Sequence, residues 1–221
     1  MWSHRKTGLL FYTAFRQLIF AVVLVGLATS QSPVLAVNEA AGDAADIASE
    51  AKGEDLYKRG FYEEALDVWT QAAAVGDAGA AFRLGEEYLD AKVVERDMRA
   101  SLRYLKLGAE GGDARAQQDL ATFYDNGWLV RRDWKRAAEL YKAAADQGIA
   151  SSQHNIGVMY REGHGVSQDL VRAYKYFLLA VRNGFARFAT AELEQILPLM
   201  SPAQIKKATR LADEAQQQQG Q

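Results

Sequence analysis

Apolar and polar positions alternate with a helical period from Ala78 to Gly184, and the whole pattern occurs three times at one offset. Leu84, Leu120 and Ile156 stand 36 residues apart (120 − 84 and 156 − 120), as do Tyr88, Tyr124 and Tyr160, and Gly112, Gly148 and Gly184. A gapless period of this size predicts stacked supersecondary units, each burying an apolar face that it cannot cover alone. In the first half of each copy a small residue (Ala80, Ala116, Ser152) precedes the aliphatic one by four positions. A Gly, Ala or Gly follows it (Gly85, Ala121, Gly157), and the tyrosine comes four positions after it. The spacing i, i+4, i+5, i+8 is one face of a helix, with a small residue where a neighbouring helix approaches.

Each copy has a second helix. Asp97, Asp133 and Asp169 are its expected N-caps, each worth about 1 kcal/mol. The stripe small–large–small follows as Ser101/Leu105/Gly108, Ala137/Tyr141/Ala144 and Ala173/Phe177/Ala180. Glycines 112, 148 and 184 end these helices. In the same register backwards, Ala65, Trp69, Ala72 and Gly76 form an earlier second helix. Its partner, from Gly53, is joined by a connection four residues shorter. Asp90-Ala91-Lys92-Val93 lacks the loop glycines of the later copies, so that turn is expected to differ. After Gly184 the register is read as decaying. Phe188, Leu193, Ile196 and Leu197 supply one further apolar face, and Pro198 interrupts it. Ser201-Pro202-Ala203-Gln204 opens a last helix with a capping-box pattern. Ile205, Ala208, Leu211 and Ala212 are its buried stripe.

Gly53 to Ala65 resembles a tetratricopeptide repeat, with Leu56 where tyrosine is usual. The three longer copies resemble the related Sel-1-like repeats, most closely in Ile156-Gly157, Tyr160, Gly163-His164-Gly165-Val166, Asp169, Ala173, Phe177, Ala180 and Gly184. The resemblance implies an all-α fold: an α-solenoid of stacked antiparallel helix pairs with a C-terminal capping helix. The expected organisation is a signal peptide over residues 1–36, a linker over 37–45 and a tetratricopeptide-like repeat over 46–77. Sel-1-like repeats follow over 78–113, 114–149 and 150–185, then capping helices over 186–215 and a polar, unstructured tail over 216–221.

The N-terminal segment sets the expected compartment. Arg5 and Lys6 precede an apolar run, Arg16 interrupts it, and Val34-Leu35-Ala36 gives a small-residue exit. This is the layout of a secretory signal cut after Ala36. The run from Leu18 to Ala28 is about half of the roughly 20 residues that a bilayer crossing needs. An exported chain, periplasmic or secreted, with no stable membrane span after cleavage is therefore expected. A retained N-terminal anchor is the alternative.

Charge and chemistry narrow the function. The chain carries 26 bases and 28 acids. Three of the bases and none of the acids fall in the first 36 residues, so the remainder holds 23 against 28, a formal −5. There is no basic run, and no nucleic-acid partner is expected. There is no cysteine, which excludes disulfides, thiol nucleophiles and thiolate metal sites. No Glu-x-x-His or His-x-x-x-His pair offers a metal site, and no cofactor is expected. Gly163-x-Gly165 lacks the strand and third glycine of a phosphate loop. Glu86-Glu87 are neighbours about 100° apart on a helix, so they are read as solvated charge and not a catalytic pair. The chain is therefore not expected to be an enzyme. A hydrolase of cell-wall or β-lactam-like substrates is the rival reading. The relatives proposed for β-lactam chemistry are cysteine-rich, unlike this chain. A stabilising cap inside a larger complex is a second rival, and would show a broad exposed apolar patch.

In tetratricopeptide relatives the first helices line a concave groove. Carried over by position, the groove comprises Phe82, Glu86 and Leu89; Gln118, Thr122 and Asp125; and His154, Val158 and Arg161. These residues change chemistry between copies while the packing stripe does not. They contain no Lys or Asn, so the carboxylate clamp known in such relatives is not expected. Trp128 and Trp134 flank one loop without counterparts and are candidate exposed contacts. The resemblance implies a scaffold, adaptor or regulator of the cell envelope that binds a protein or peptide, with an envelope polysaccharide as a further possible partner.

Overall fold

The computed structural model describes residues 48–219. The expected signal segment and linker lie outside them. The described residues form helices joined in antiparallel pairs: α1 (Glu50–Lys58) with α2 (Tyr62–Ala74), α3 (Ala78–Asp90) with α4 (Met98–Glu110), α5 (Ala114–Asn126) with α6 (Trp134–Asp146), and α7 (Ala150–Glu162) with α8 (Leu170–Ala180). Then come α9 (Ala186–Ile196), a single turn at Leu197–Leu199, and α10 (Pro202–Gln219). Each second helix also packs on the next first helix, and first helices of neighbouring units meet, α1 with α3 and α3 with α5. This is the all-α solenoid that the period implies, and its core is the repeated stripe. Ala80, Ala116 and Ser152 are fully buried, as are Leu105, Phe177 and Ile156.

The helix boundaries follow from caps. Asp97, Asp133 and Asp169 each accept a backbone N–H at the start of α4, α6 and α8. Asp77 and Asp113 do the same for α3 and α5. At the corresponding place before α7 the residue is Ile149, which has no side-chain cap. Ile149→Asp is expected to raise stability by about 1 kcal/mol, read as a higher denaturation midpoint at unchanged m-value. An unchanged midpoint would show that this terminus needs no cap.

The turn after α3 keeps the repeat's path without its glycines. Ala91 takes the left-handed conformation (φ 57°) where Gly127 and Gly163 stand in the next copies. The N–H groups of Asp97, Asp133 and Asp169 donate alike to the carbonyls of Tyr88, Tyr124 and Tyr160, at 3.0, 3.0 and 2.8 Å. The difference lies two residues after Ala91, where the Val93 N–H donates to the Glu87 carboxylate at 2.6 Å, which also accepts from the Tyr57 hydroxyl at 2.9 Å. Glu87 is thus buried, contrary to the expectation of solvated charge, because it closes a loop that lacks glycines. Burial, and then this carboxylate, push the Tyr57 hydroxyl up to about 12.

Two C-terminal expectations are corrected. The register does not decay after Gly184: α9 begins at Ala186, 36 residues after Ala150, itself 36 after Ala114. Gly184 (φ 95°) makes the same left-handed turn as Gly76, Gly112 and Gly148. So α9 occupies the place of a fifth first helix. The residues read as an unstructured tail are, up to Gln219, the end of α10. Gln219 donates to the carbonyls of Ala145 and Asp146 at the end of α6, so its amide satisfies helix-end groups of a repeat, and Gln216 donates to the Asn183 side-chain Oδ1. At its other end α10 starts as expected: Ser201 N–H donates to Gln204 Oε1 and Gln204 N–H to Ser201 Oγ.

Candidate partner-binding wall

The nine residues carried over from the resemblance divide by what they touch. One set lies in the seams between successive first helices. Phe82 is buried, with the Arg115 guanidinium 4.4 Å above its ring. Gln118 accepts from Ser151 and Ser152 of α7. His154 packs near Phe177 and Phe185. Phe82 is therefore a packing residue and not open wall. Its apolar ring lies in the α3–α5 seam, and at the same repeat position Gln118 closes the α5–α7 seam by hydrogen bonds.

A second set is held by neighbours. Glu86 accepts from Arg83 at 3.2 Å. Thr122 Oγ1 lies 3.0 Å from the Tyr141 hydroxyl. Leu89 packs on the core. Arg161 donates to Glu192 and Gln195 of α9 and to Glu162, and His154 Nε2 stands 3.9 Å from Glu192 Oε1. Sequence reasoning missed Glu192 and Gln195 because it lost the register after Gly184. On the 36-residue grid they fall on the next first helix.

The remaining residues come together. Asp125, His154 and Val158 line one cleft of about 440 Å³ with Asn126, Asn155 and Glu162. Its rim is aromatic: the Trp134 ring at the start of α6 stacks on the His164 imidazole, with centroids 4.4 Å apart and planes 13° from parallel. Arg132 lies over the same indole. Gly165 (φ 70°) permits this approach, since a Cβ there would come within 2.1 Å of the Trp134 carbonyl oxygen. Trp134 is 39% exposed and presents apolar surface beside a polar floor; Trp128, 46% exposed, packs edge-on to Phe123 and does not line this cleft. The second-helix aromatics Trp69, Tyr141, Tyr176 and Phe177 are buried and belong to the packing stripe.

The wall is acidic in its middle. Asp119 of α5 occupies the place held by Arg83 in α3 and Asn155 in α7, again 36 residues apart. Arg83 is bound by Glu50, Glu54 and Glu86. Asp119 instead meets like charge. Burial first, then Glu86, raises its carboxyl to about 6, and Asp90 and Asp113 add to the effect. An acid held away from its ordinary value on an accessible wall marks a functional candidate.

Among the described residues no three His, Asp or Glu side chains are placed to hold a metal. No helix there is long and apolar enough to cross a membrane.

The Sel1 repeat profile matches residues 78–113, 114–149 and 150–185. The crystal structure of a Sel1 repeat protein from Oxalobacter formigenes is 31% identical, with a TM-score of 0.54 over 57% of this chain and 95% of that one. This chain belongs to the Sel1 repeat family. A second Sel1-like structure, a protective antigen present in uropathogenic Escherichia coli strains and displaying an SLR fold, is 25% identical. Its TM-score is 0.65 over 88% of this chain and 43% of that one. Among curated proteins, none matches this chain. The Sel1 repeat fold is a protein-interaction scaffold, and nothing in the geometry or these likenesses supports the hydrolase alternative.

Proposed function

We propose that this Sel1 repeat protein is an exported adaptor of the cell envelope, and that it holds a partner polypeptide against the wall of its first helices. The observation that carries this reading is the contrast within the repeats. The packing stripe keeps its chemistry from copy to copy, while the wall changes from Arg83 to Asp119 to Asn155 and ends in the Trp134–His164 cleft. Packing needs the first kind of position to be uniform, and recognition uses the second. The partner segment suited to this wall is extended and basic. Asp119 and Asp125 attract cations, while Glu86 and Glu162 are already paired with Arg83 and Arg161, and the exposed Trp134 indole supplies stacking area at low entropic cost. The basic and apolar layout of residues 1–36 supports export.

Cell fractionation tests the compartment. An exported chain shortened by about the first 36 residues is expected, and a full-length cytosolic chain would contradict it. For the wall, the mature chain serves as bait on envelope extracts. A polypeptide retained by the wild type is expected to be lost with Asp125→Arg, by about tenfold in affinity for one reversed close charge pair. The circular dichroism should not change. Equal retention would remove Asp125 and its cleft from the recognition surface. The Arg161 side chain is a poor test, because its reversal breaks the Glu192 contact that joins α7 to α9.

A further inference from the structure

A second cavity lies on the second-helix side of the solenoid, between the end of α6, helix α8 and the terminal helix α10. Its volume is about 660 Å³, within the range of small-ligand sites. Four cationic side chains line it, Lys142, Arg172, Lys175 and Lys207, against two acids, Asp146 and Asp169. Both acids are already engaged. Asp146 accepts from Lys142 at 2.5 Å and from the Tyr176 hydroxyl at 3.1 Å. Asp169 caps α8 at the Arg172 N–H and faces the Arg172 guanidinium at 3.5 Å. Lys175 and Lys207 make no ion pair among the described residues, although the charge of Asp146 reaches Lys175. The cavity is thus cationic by two charges in a chain whose formal charge is −2.

Lys175 is the unusual member. It is half-buried and its Nζ lies 4.4 Å from the Tyr176 ring centroid; burial depresses its pKa, the Asp146 charge offsets part of this, and Lys142 and Arg172 add to the depression. Asp146 is shared with Lys142 and the Tyr176 hydroxyl and makes no ion pair with Lys175, so keeping the half-buried ammonium there costs free energy that a bound anion would recover. The other surfaces are apolar. Tyr160 and Tyr176 stack with centroids 5.9 Å apart and planes 4° from parallel, and Val171, Leu211 and Ala215 complete the lining. Gln218 and Gln219 at the end of α10 form the rim. Helix α10 therefore does more than cover the last repeat, since it supplies one wall of a cavity and one of its free cations.

We infer that this cavity binds a small organic anion, a carboxylate or its equivalent on an apolar body, with the anionic group between Lys175 and Lys207 and the apolar part against the Tyr160–Tyr176 pair. The inference is independent of the partner-binding wall, which uses the first helices.

The probe is anilinonaphthalene sulfonate, an anion with an aromatic body, followed by its fluorescence on the full mature chain. Decanoate and decanol serve as competitors with the same apolar body and differing charge. Saturable binding is expected, displaced by decanoate and not by equal decanol. Lys175→Met keeps the side chain's bulk and is expected to weaken binding about tenfold, the effect of one lost charge-assisted contact. Lys207→Gln, on the exposed face of α10, is expected to weaken it as well and guards against misfolding of the first variant. Lys106→Met, on α4 and outside the cavity, should bind as the wild type does. Equal displacement by decanol, or wild-type affinity in both Lys175→Met and Lys207→Gln, would overturn the inference.

Discussion

Gly157→Leu is expected to lower stability by about 3 kcal/mol or more, and to do so locally. A Cβ at Gly157 would stand 2.7 Å from Cδ1 and from Cε1 of the Phe177 ring, so even alanine requires the ring to shift. Phe177 is fully buried and packs across the α7–α8 pair, leaving it nowhere to go without the helices separating. Stability in a solenoid is close to a sum over units and neighbouring interfaces. The damage should therefore fall on α7 to α10, with α1 to α4 retained. Hydrogen exchange resolved by segment reads this directly. Adding Phe177→Ala should return part of the loss, since the new side chain then has a void to occupy. Uniform loss along the chain would contradict nearest-neighbour stacking, and an unchanged melt would contradict the packing itself. Gly85 faces Leu105 in the same way, with Cβ contacts of 2.8 and 2.9 Å, so Gly85→Leu should injure the α3–α4 pair instead.

Asp119→Asn should act in the opposite direction, stabilising the fold at neutral pH. Burial and the nearby Glu86 hold the folded carboxyl at about 6, against about 3.9 for an unfolded chain. A folded pKa raised above the unfolded one means that the native state binds the proton more tightly. Stability from this group is fully present below about pH 4 and is lost as pH rises through about 6. The gap of about two units corresponds to on the order of 2–3 kcal/mol, an upper figure for a side chain that keeps some solvent contact. The wild type should therefore resist denaturant better at pH 5 than at pH 7. In Asp119→Asn that difference should shrink, with the higher stability kept at both values. An identical pH slope in the two proteins would show that Asp119 does not titrate as described. The same substitution should weaken a basic partner, because it removes a charge that the wall maintains at a cost to stability.

Much of this architecture could be read from sequence because its cause is local and repeated. The i, i+4, i+5, i+8 stripe, the aspartate caps and the left-handed glycines each state their role within a few residues, and threefold repetition separates them from chance. The resemblance placed the partner surface on the first helices, but periodicity alone could not tell the seam from the open wall. Phe82 and Gln118 lie at one helical position, and only the neighbouring helix shows that both close seams. The burial of Glu87 is not legible from its own helix, because it answers a loop N–H at Val93 and a hydroxyl at Tyr57. Arg161 reads as a partner contact in the sequence because its neighbour Glu192 stands where the repeat has Ile156, which breaks the pattern there. The 36-residue grid, extended one step to Ala186, puts the helix of Glu192 in register with the first helices and so beside Arg161. The cationic cavity was out of reach, since it is assembled from α6, α8 and a helix outside the repeat.

Photocrosslinking from single positions tests the binding wall most directly. A benzoylphenylalanine at Asn155, on the first-helix wall beside the Trp134–His164 stack, is compared in cells with one at Glu139, exposed on the second helix α6. A discrete crosslinked polypeptide is expected from Asn155, diminished by Asp125→Arg, and none of that species from Glu139. The same species from Glu139 alone, or equally from both positions, would contradict the binding wall.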